Sequence, residues 1–191
     1  MSRTTMLLLL AVALVLAVPL AERASQARGP VAELVEQIRG AAKPQTGGRD
    51  GFKVLVAAAE NGIEQLAQML QDSSGGDFTC EYMYAHQYHL RRPDSLLAVG
   101  VAAIVTFTDY PYLDKNMFGD TLAKFVDLGG GVVITVFADY SPWNIGGRFA
   151  TQYMPVAFAN NTYTSGTLGT VHQPSHPIMN GVTTVGCGNY K

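Results

Sequence analysis

Apolar positions along the middle of this chain follow two rhythms. Lys53 to Ala58, Phe78 to Tyr84, Val101 to Phe107 and Val132 to Phe137 are short runs of aliphatic and aromatic residues, with the length and make-up of buried strands. Between some of them the period lengthens to that of a helix. Ile63, Leu66, Met69 and Leu70 line one side of the first helix; Phe118, Leu122, Phe125 and Val126 line the second, with Asp120, Lys124 and Asp127 turned away. Asn61 and Glu64 have the spacing of a capping box for the first helix. Gly129-Gly130-Gly131 ends the helix predicted over 117–128 and lets the chain reverse into the next strand. That strand, 132–137, is apolar on both faces apart from Thr135, which predicts a central position rather than an edge.

The order strand, helix, strand, strand, helix, strand predicts an α/β fold with a mostly parallel, doubly wound sheet and right-handed crossovers. Ligands of such sheets gather beyond the carboxyl ends of the strands. Thr108-Asp109-Tyr110 and the stretch from Asp139 to Asn144 occupy those places, and Tyr82, Tyr84, His86, Tyr88 and His89 crowd the region at the end of the second strand. Ahead of the domain, residues 28–51 form a leader: Val31, Leu34, Val35 and Ile38 have helical spacing, followed by a Gly, Pro, Lys and Gln-rich linker. Docking of that helix on its own domain is the simpler expectation. After Phe149, Tyr153 to Phe158 and Thr162 to Val171 alternate weakly, suggesting short strands or ordered loops.

Residues 1–27 read as a secretory signal: Arg3 is followed by a nearly unbroken aliphatic run from Met6 to Leu20, and Ser25-Gln26-Ala27 offers small residues for cleavage. An uncleaved anchor is the competing reading; after cleavage no membrane span is expected. Residues 52–191 are of single-domain size. Charged residues make up 15% of the 191-residue chain, against about 25% in ordinary soluble proteins. The net charge of −2 and the lack of a basic stripe exclude a nucleic-acid role. A secreted, extracellular or cell-surface protein tolerates such a surface, with glycans or other protein chains as partners and oligomers within reach. In that compartment Cys80 and Cys187 either pair as a disulfide or remain two separate thiols, and Asn160-Asn161-Thr162 is a glycosylation sequon.

Three segments in order carry a family resemblance: Gly119-Asp120-x-Leu122-Ala123-x-Phe125-Val126-Asp127-x-Gly129-Gly130-Gly131-Val132-Val133, then Gly146-Gly147-Arg148-Phe149, then His176-Pro177-Ile178-Met179-x-Gly181-Val182. Over roughly Phe52 to Val182 the chain resembles the ThuA-like branch of the class I glutamine amidotransferase-like superfamily. The resemblance implies a flavodoxin-like three-layer sandwich, a link to carbohydrate metabolism or to secreted multidomain proteins, and in the family's enzymes a cysteine nucleophile on a tight elbow. Here the corresponding stretch, Phe137-Ala138-Asp139-Tyr140-Ser141, has neither that cysteine nor a G-x-C-x-G or G-x-S-x-G elbow. Relatives usually continue through further strands, so the sheet is either smaller at its C-terminal end or completed by a partner.

The missing nucleophile argues for a non-enzymatic domain, without cofactor or metal, that binds or assembles. Tyr110, Tyr140 and Trp143 could form an aromatic platform for a sugar ring, cap the sheet or meet another protein. Arg148, after two glycines, could hold a ligand's carboxylate or the protein's own Asp139 or Asp109. The competing reading is a carbohydrate-active enzyme using Asp109, Asp139 or His172; it predicts a concave, solvent-filled pocket at the carboxyl strand ends, with a carboxylate of perturbed pKa. A Ser141, His172 and Asp139 set can be written down, although sequence does not place the three within hydrogen-bond reach; His86-x-x-His89 and His172-x-x-x-His176 have spacings seen in metal sites, the second interrupted by Pro174 and flanked by Pro177 so that no helix face joins its rings.

Overall fold

The computed structural model describes residues 34, 35, 37, 38, 51–135, 137–156, 165–175, 179, 182–184, 186 and 187. The signal segment 1–27, most of the leader, the Asn160 sequon and the His176-Pro177-Ile178 stretch lie outside them. Four parallel strands form the sheet: β1 (Phe52–Ala58), β2 (Phe78–Tyr84), β3 (Val101–Thr106) and β4 (Gly131–Ile134), in the order β2-β1-β3-β4. The connections are α1 (Ile63–Ser73), α2 (Pro93–Ala98) and α3 (Lys115–Asp127); α4 (Gly147–Gln152) follows β4. The fold is therefore α/β, a parallel sheet flanked by helices as in a flavodoxin-like sandwich.

Alternation along β1 divides the core into two layers. Leu55 and Ala57 face Leu96 of α2, Phe118, Leu122, Ala123 and Phe125 of α3, and Phe149 of α4. Val54, Val56 and Ala58 face Ile63, Ala67 and Leu70 of α1. Val35 and Ile38 of the leader are buried in this second layer, so the leader turn docks on its own domain. Beyond α4, β5 (Gly166–Thr167) and β6 (Gly186–Cys187) pair antiparallel as a small separate ribbon.

Three local expectations are corrected. First, β4 stops at Ile134 and, among the described residues, lies at the sheet's edge rather than its centre. Val133 packs into one layer while Val132 and Ile134 pack against the other, so helices cover both faces of an edge strand. Second, α1 is capped by Gly62 in the left-handed conformation at φ 73°, with no side-chain cap; Asn61 and Glu64 turn to tyrosines instead. Third, Pro93–Ala98, for which the sequence pattern predicts no element, is a short helix with Pro at its start.

Only the first glycine of the Gly129-Gly130-Gly131 run has a positive φ, 97°. Gly130 lies so close to the Phe125 ring that a Cβ would fall 2.2 Å from it. No helix among the described residues is long and apolar enough to cross a membrane.

Candidate functional site at the carboxyl ends of β1, β2 and β3

β1 and β3 are neighbours whose onward connections leave toward opposite edges and pack on opposite faces. The crevice between their ends is the topological switch point, where open α/β sheets bind ligands. The backbone here is tightly tied. Ala59 bridges Thr108 in parallel, its N–H donates to Phe107 O at 3.0 Å, and its carbonyl accepts from the N–H groups of Asp109 and Tyr110, each at 2.9 Å. The Ala85 N–H donates to Ala58 O at 2.8 Å and brings His86 in from β2. Five side chains thereby converge: Glu60, Asn61, His86, Asp109 and Tyr110.

Glu60 is the floor, with only 5% of its surface exposed. Its Oε1 accepts the Asn61 N–H at 2.6 Å, and its Oε2 receives no N–H or hydroxyl donor among the described residues. Burial pushes the Glu60 carboxyl above its ordinary value. The Asn61 N–H partly offsets this, and the neighbouring Asp109 carboxylate raises it further, by its charge and by competing for the same proton. At the rim, Asn61 Nδ2 donates to the Tyr110 hydroxyl at 3.1 Å. The Tyr110 ring lies 5.3 Å from that of His86, which meets Tyr84 edge-on at 5.8 Å.

His86 Nε2 is 3.0 Å from Gln87 Nε2, while Nδ1 is buried and unpartnered. Burial holds this imidazole below its ordinary pKa, so the ring is neutral at pH 7. Tyr84 donates to Glu64 Oε2 at 2.6 Å, which pushes the phenol up to about 12. The result is a continuous strip of carboxylates, an amide and aromatic rings across the ends of three strands.

Of the residues expected from sequence, Asp109 and Tyr110 belong to this strip. Tyr140 and Trp143 do not. They form a separate cluster after β4, 5.6 Å apart, with Phe137 at 5.9 Å and 6.4 Å respectively. Tyr110 has no ring contact with that cluster among the described residues, so the expected three-ring platform is divided. Asp139, half-buried, and Ser141, exposed, share the turn after β4, while His172 is exposed on 165–175; no hydrogen bond joins these three among the described residues. Phe137 stands at the corner after β4 with φ 61°, in the left-handed region.

Arg148 does hold a carboxylate, but that of α3. Its Nη2 lies 2.6 Å from Asp127 Oδ2 and its N–H donates to Asp120 Oδ1 at 2.6 Å, so neither Asp139 nor Asp109 is its partner. Arg148 and the Tyr153 hydroxyl, which also donates to Asp127, hold that carboxyl below its usual range.

Among the described residues Cys80 is a free, half-buried thiol, pushed up to about 11 by burial; the side chain of Cys187, with which it either pairs or not, lies outside them. No three His, Cys, Asp or Glu side chains gather into a metal cage among the described residues.

Sequence reasoning missed Glu60 and Asn61. The signal was an acid placed immediately after the apolar run of β1, at the carboxyl end of a central strand. No protein-family model, curated protein or solved structure matches this chain.

Proposed function

We propose that this chain is a secreted, non-catalytic domain that binds a hydroxyl-rich ligand, a glycan, at the switch point. One observation carries the reading: a buried carboxylate oxygen, Glu60 Oε2, receives no N–H or hydroxyl donor among the described residues, at the crevice where such sheets take ligands. A sugar hydroxyl could donate to it. Asn61, Asp109 and Tyr110 offer further donors and acceptors, and the Tyr110 and His86 rings offer apolar faces for a sugar ring. The ThuA-like resemblance points the same way. Its scaffold is associated with carbohydrate metabolism, and the corner where its enzymes place a nucleophile carries Phe137 here, whose ring has no nucleophilic atom.

Binding to a panel of soluble oligosaccharides, followed by calorimetry, tests this. Saturable binding weakened at least tenfold by Asn61→Ala and by Glu60→Gln is expected. No binding at millimolar ligand, or binding indifferent to both changes, removes the reading.

The enzyme alternative gains one specific support. A carboxylate of perturbed pKa, which it requires at the carboxyl strand ends, is present as Glu60, facing Asp109. Release of a chromophore from aryl glycosides, abolished by Glu60→Gln, would favour it over simple binding. Assembly through the edges of β2 and β4 is a further role for the same scaffold, and light scattering of the purified mature protein reports it directly.

A further inference from the structure

We propose that two copies of this chain join at the outer edges of β4, pairing antiparallel across a two-fold axis at Val133 and continuing one sheet into the other. This goes beyond the glycan reading and does not depend on it. Among the described residues the sheet has two edges, β2 and β4, and the fold finishes them differently. On a strand the N–H and C=O of one residue face the same side, and those of the next residue face the other. Along β2 the outward groups belong to Phe78, Cys80, Tyr82 and Tyr84. The Cys80 N–H donates to Gln71 Oε1 at 2.9 Å, Ser74 Oγ lies 3.2 Å from Phe78 O, and Tyr84 O accepts the N–H groups of Gln87 and Tyr88 at 3.0 and 2.9 Å. Glu81, paired with Lys53, adds charge. An incoming strand is therefore obstructed at both ends of β2.

β4 has no such protection. The Thr135 N–H donates to Thr106 O at 3.0 Å, which turns Gly131, Val133 and Thr135 toward β3 and leaves Val132 and Ile134 facing out. No hydrogen bond reaches those outward groups among the described residues. Residues 131–135 are Gly, Val, Val, Ile and Thr, without the charges or proline that commonly deter edge pairing. Helical layers already cover both faces, Val132 and Ile134 packing on one side and Val133 on the other, so an added strand has only the edge to satisfy.

A second copy is the occupant this edge fits, because the edge is complementary to itself. With Val133 on the axis, Val132 of one copy stands opposite Ile134 of the other, and each donates to and accepts from its counterpart, so every open group is used. An axis at Val132 would instead set Gly130 opposite Ile134, and the Gly130 N–H is already given to Phe125 O at 2.9 Å. On the sheet faces Val133 meets Val133 and Val132 meets Ile134; these are β-branched pairs with no like charges opposed. The paired edge is short. Its interface falls below about 1,200 Å², and a dimer that dissociates at micromolar concentration is expected.

Sedimentation velocity of the purified protein, from about 1 to 200 µM, reads the equilibrium. Val132→Pro removes an outward N–H and leaves the ladder to β3 intact, as edge strands permit. Tyr82→Lys, on the exposed part of β2, is the control. Expected are a monomer–dimer equilibrium in the wild type and in Tyr82→Lys, and at least tenfold weaker association in Val132→Pro, with circular dichroism checking each fold. Should Val132→Pro not fold, Val133→Cys decides. Its opposed Cα atoms would stand about 4.5 Å apart, within disulfide reach, so mild oxidation should yield a covalent dimer linked at residue 133. A wild type that stays monomeric throughout the range, or the absence of a link at 133, overturns the inference. So does association weakened by Tyr82→Lys and not by Val132→Pro, which assigns the contact to β2, or growth beyond the dimer, which a closed two-fold pairing forbids.

Discussion

Gly119→Ala is a helix-interior substitution that intrinsic propensity favours and this fold opposes. Gly119 is buried in α3, where exchanging Gly for Ala ordinarily gains about 1 kcal/mol. Here an added Cβ would fall 2.0 Å from Gly146 O and 2.8 Å from Gly146 C. The obstruction is backbone, so the start of α4 must retreat by more than an ångström to reach ordinary contact. Three hydrogen bonds tie that segment to α3: Gly146 N–H to Lys115 O at 3.0 Å, Gly147 N–H to Asn116 Oδ1 at 3.1 Å, and Arg148 N–H to Asp120 Oδ1 at 2.6 Å.

Such a retreat breaks most of them, at about 1 kcal/mol for each neutral bond and more for the one to a carboxylate. Against the propensity gain, a net loss of roughly 1 to 3 kcal/mol is expected, comparable to other overpacked sites. Urea unfolding followed by circular dichroism measures it. Asp120→Ala should cost less in the Gly119→Ala background than in the wild type, because its bond is already stretched there. A Gly119→Ala protein as stable as wild type, or more so, would show that the α3–α4 contact is slack and that these glycines have another reason to be present.

Glu60→Gln removes an acid whose folded pKa lies above its unfolded one. The wild type therefore bears the cost of the ionised form at high pH and sheds it as pH falls through the folded pKa toward the ordinary carboxylate value. In metal-free buffer the variant should be the more stable protein at pH 8, with the gap closing by pH 4; a gap independent of pH would refute the assignment. Tyr112→Phe should cost about 1 to 2 kcal/mol by stranding the buried Thr106 hydroxyl, 2.9 Å from the Tyr112 hydroxyl. Adding Thr106→Val should recover much of that, as a double-mutant cycle in urea will show. Cys80, held near 11, should react with a disulfide reagent at pH 8 about a hundredfold more slowly in the native protein than in 6 M guanidinium; equal rates would mean the thiol is not buried in solution.

The strands were legible because each is a short apolar run bounded by turn residues, and β2 has the bounds its sequence predicts. The position of β4 was not. Apolarity on both faces reports that helices cover both faces, and Val132, Val133 and Ile134 are covered although the strand lies at the edge. α2 escaped notice because six residues with one buried side chain, Leu96, carry no readable period. Gly146 and Gly147 were read as permitting close approach, which they do, but toward α3 rather than a ligand. At the site, Asp109 and Tyr110 could be found from the rule about carboxyl strand ends. Asn61 could not, since a local capping pattern competed with a partner, Tyr110, 49 residues away.

The switch point combines a fixed backbone with an unsatisfied side chain, and the two halves have different causes. Ala59 engages the segment just after β3 through its N–H and its carbonyl, so the chain entering Glu60 and Asn61 has little freedom to turn the acid toward solvent. Nothing in the core requires an acid there. The residues before it, Ala57, Ala58 and Ala59, are all small and buried, and a fourth small residue would continue that packing without the desolvation that Glu60 bears. A group that weakens the fold while its backbone is held rigid has the form of a pre-organised site, in which geometry is secured by the scaffold and charge is left for a ligand to complete. The stability gained by Glu60→Gln at high pH and the binding lost by the same change should therefore appear together. Gain without loss would leave Glu60 as a structural flaw rather than a binding group.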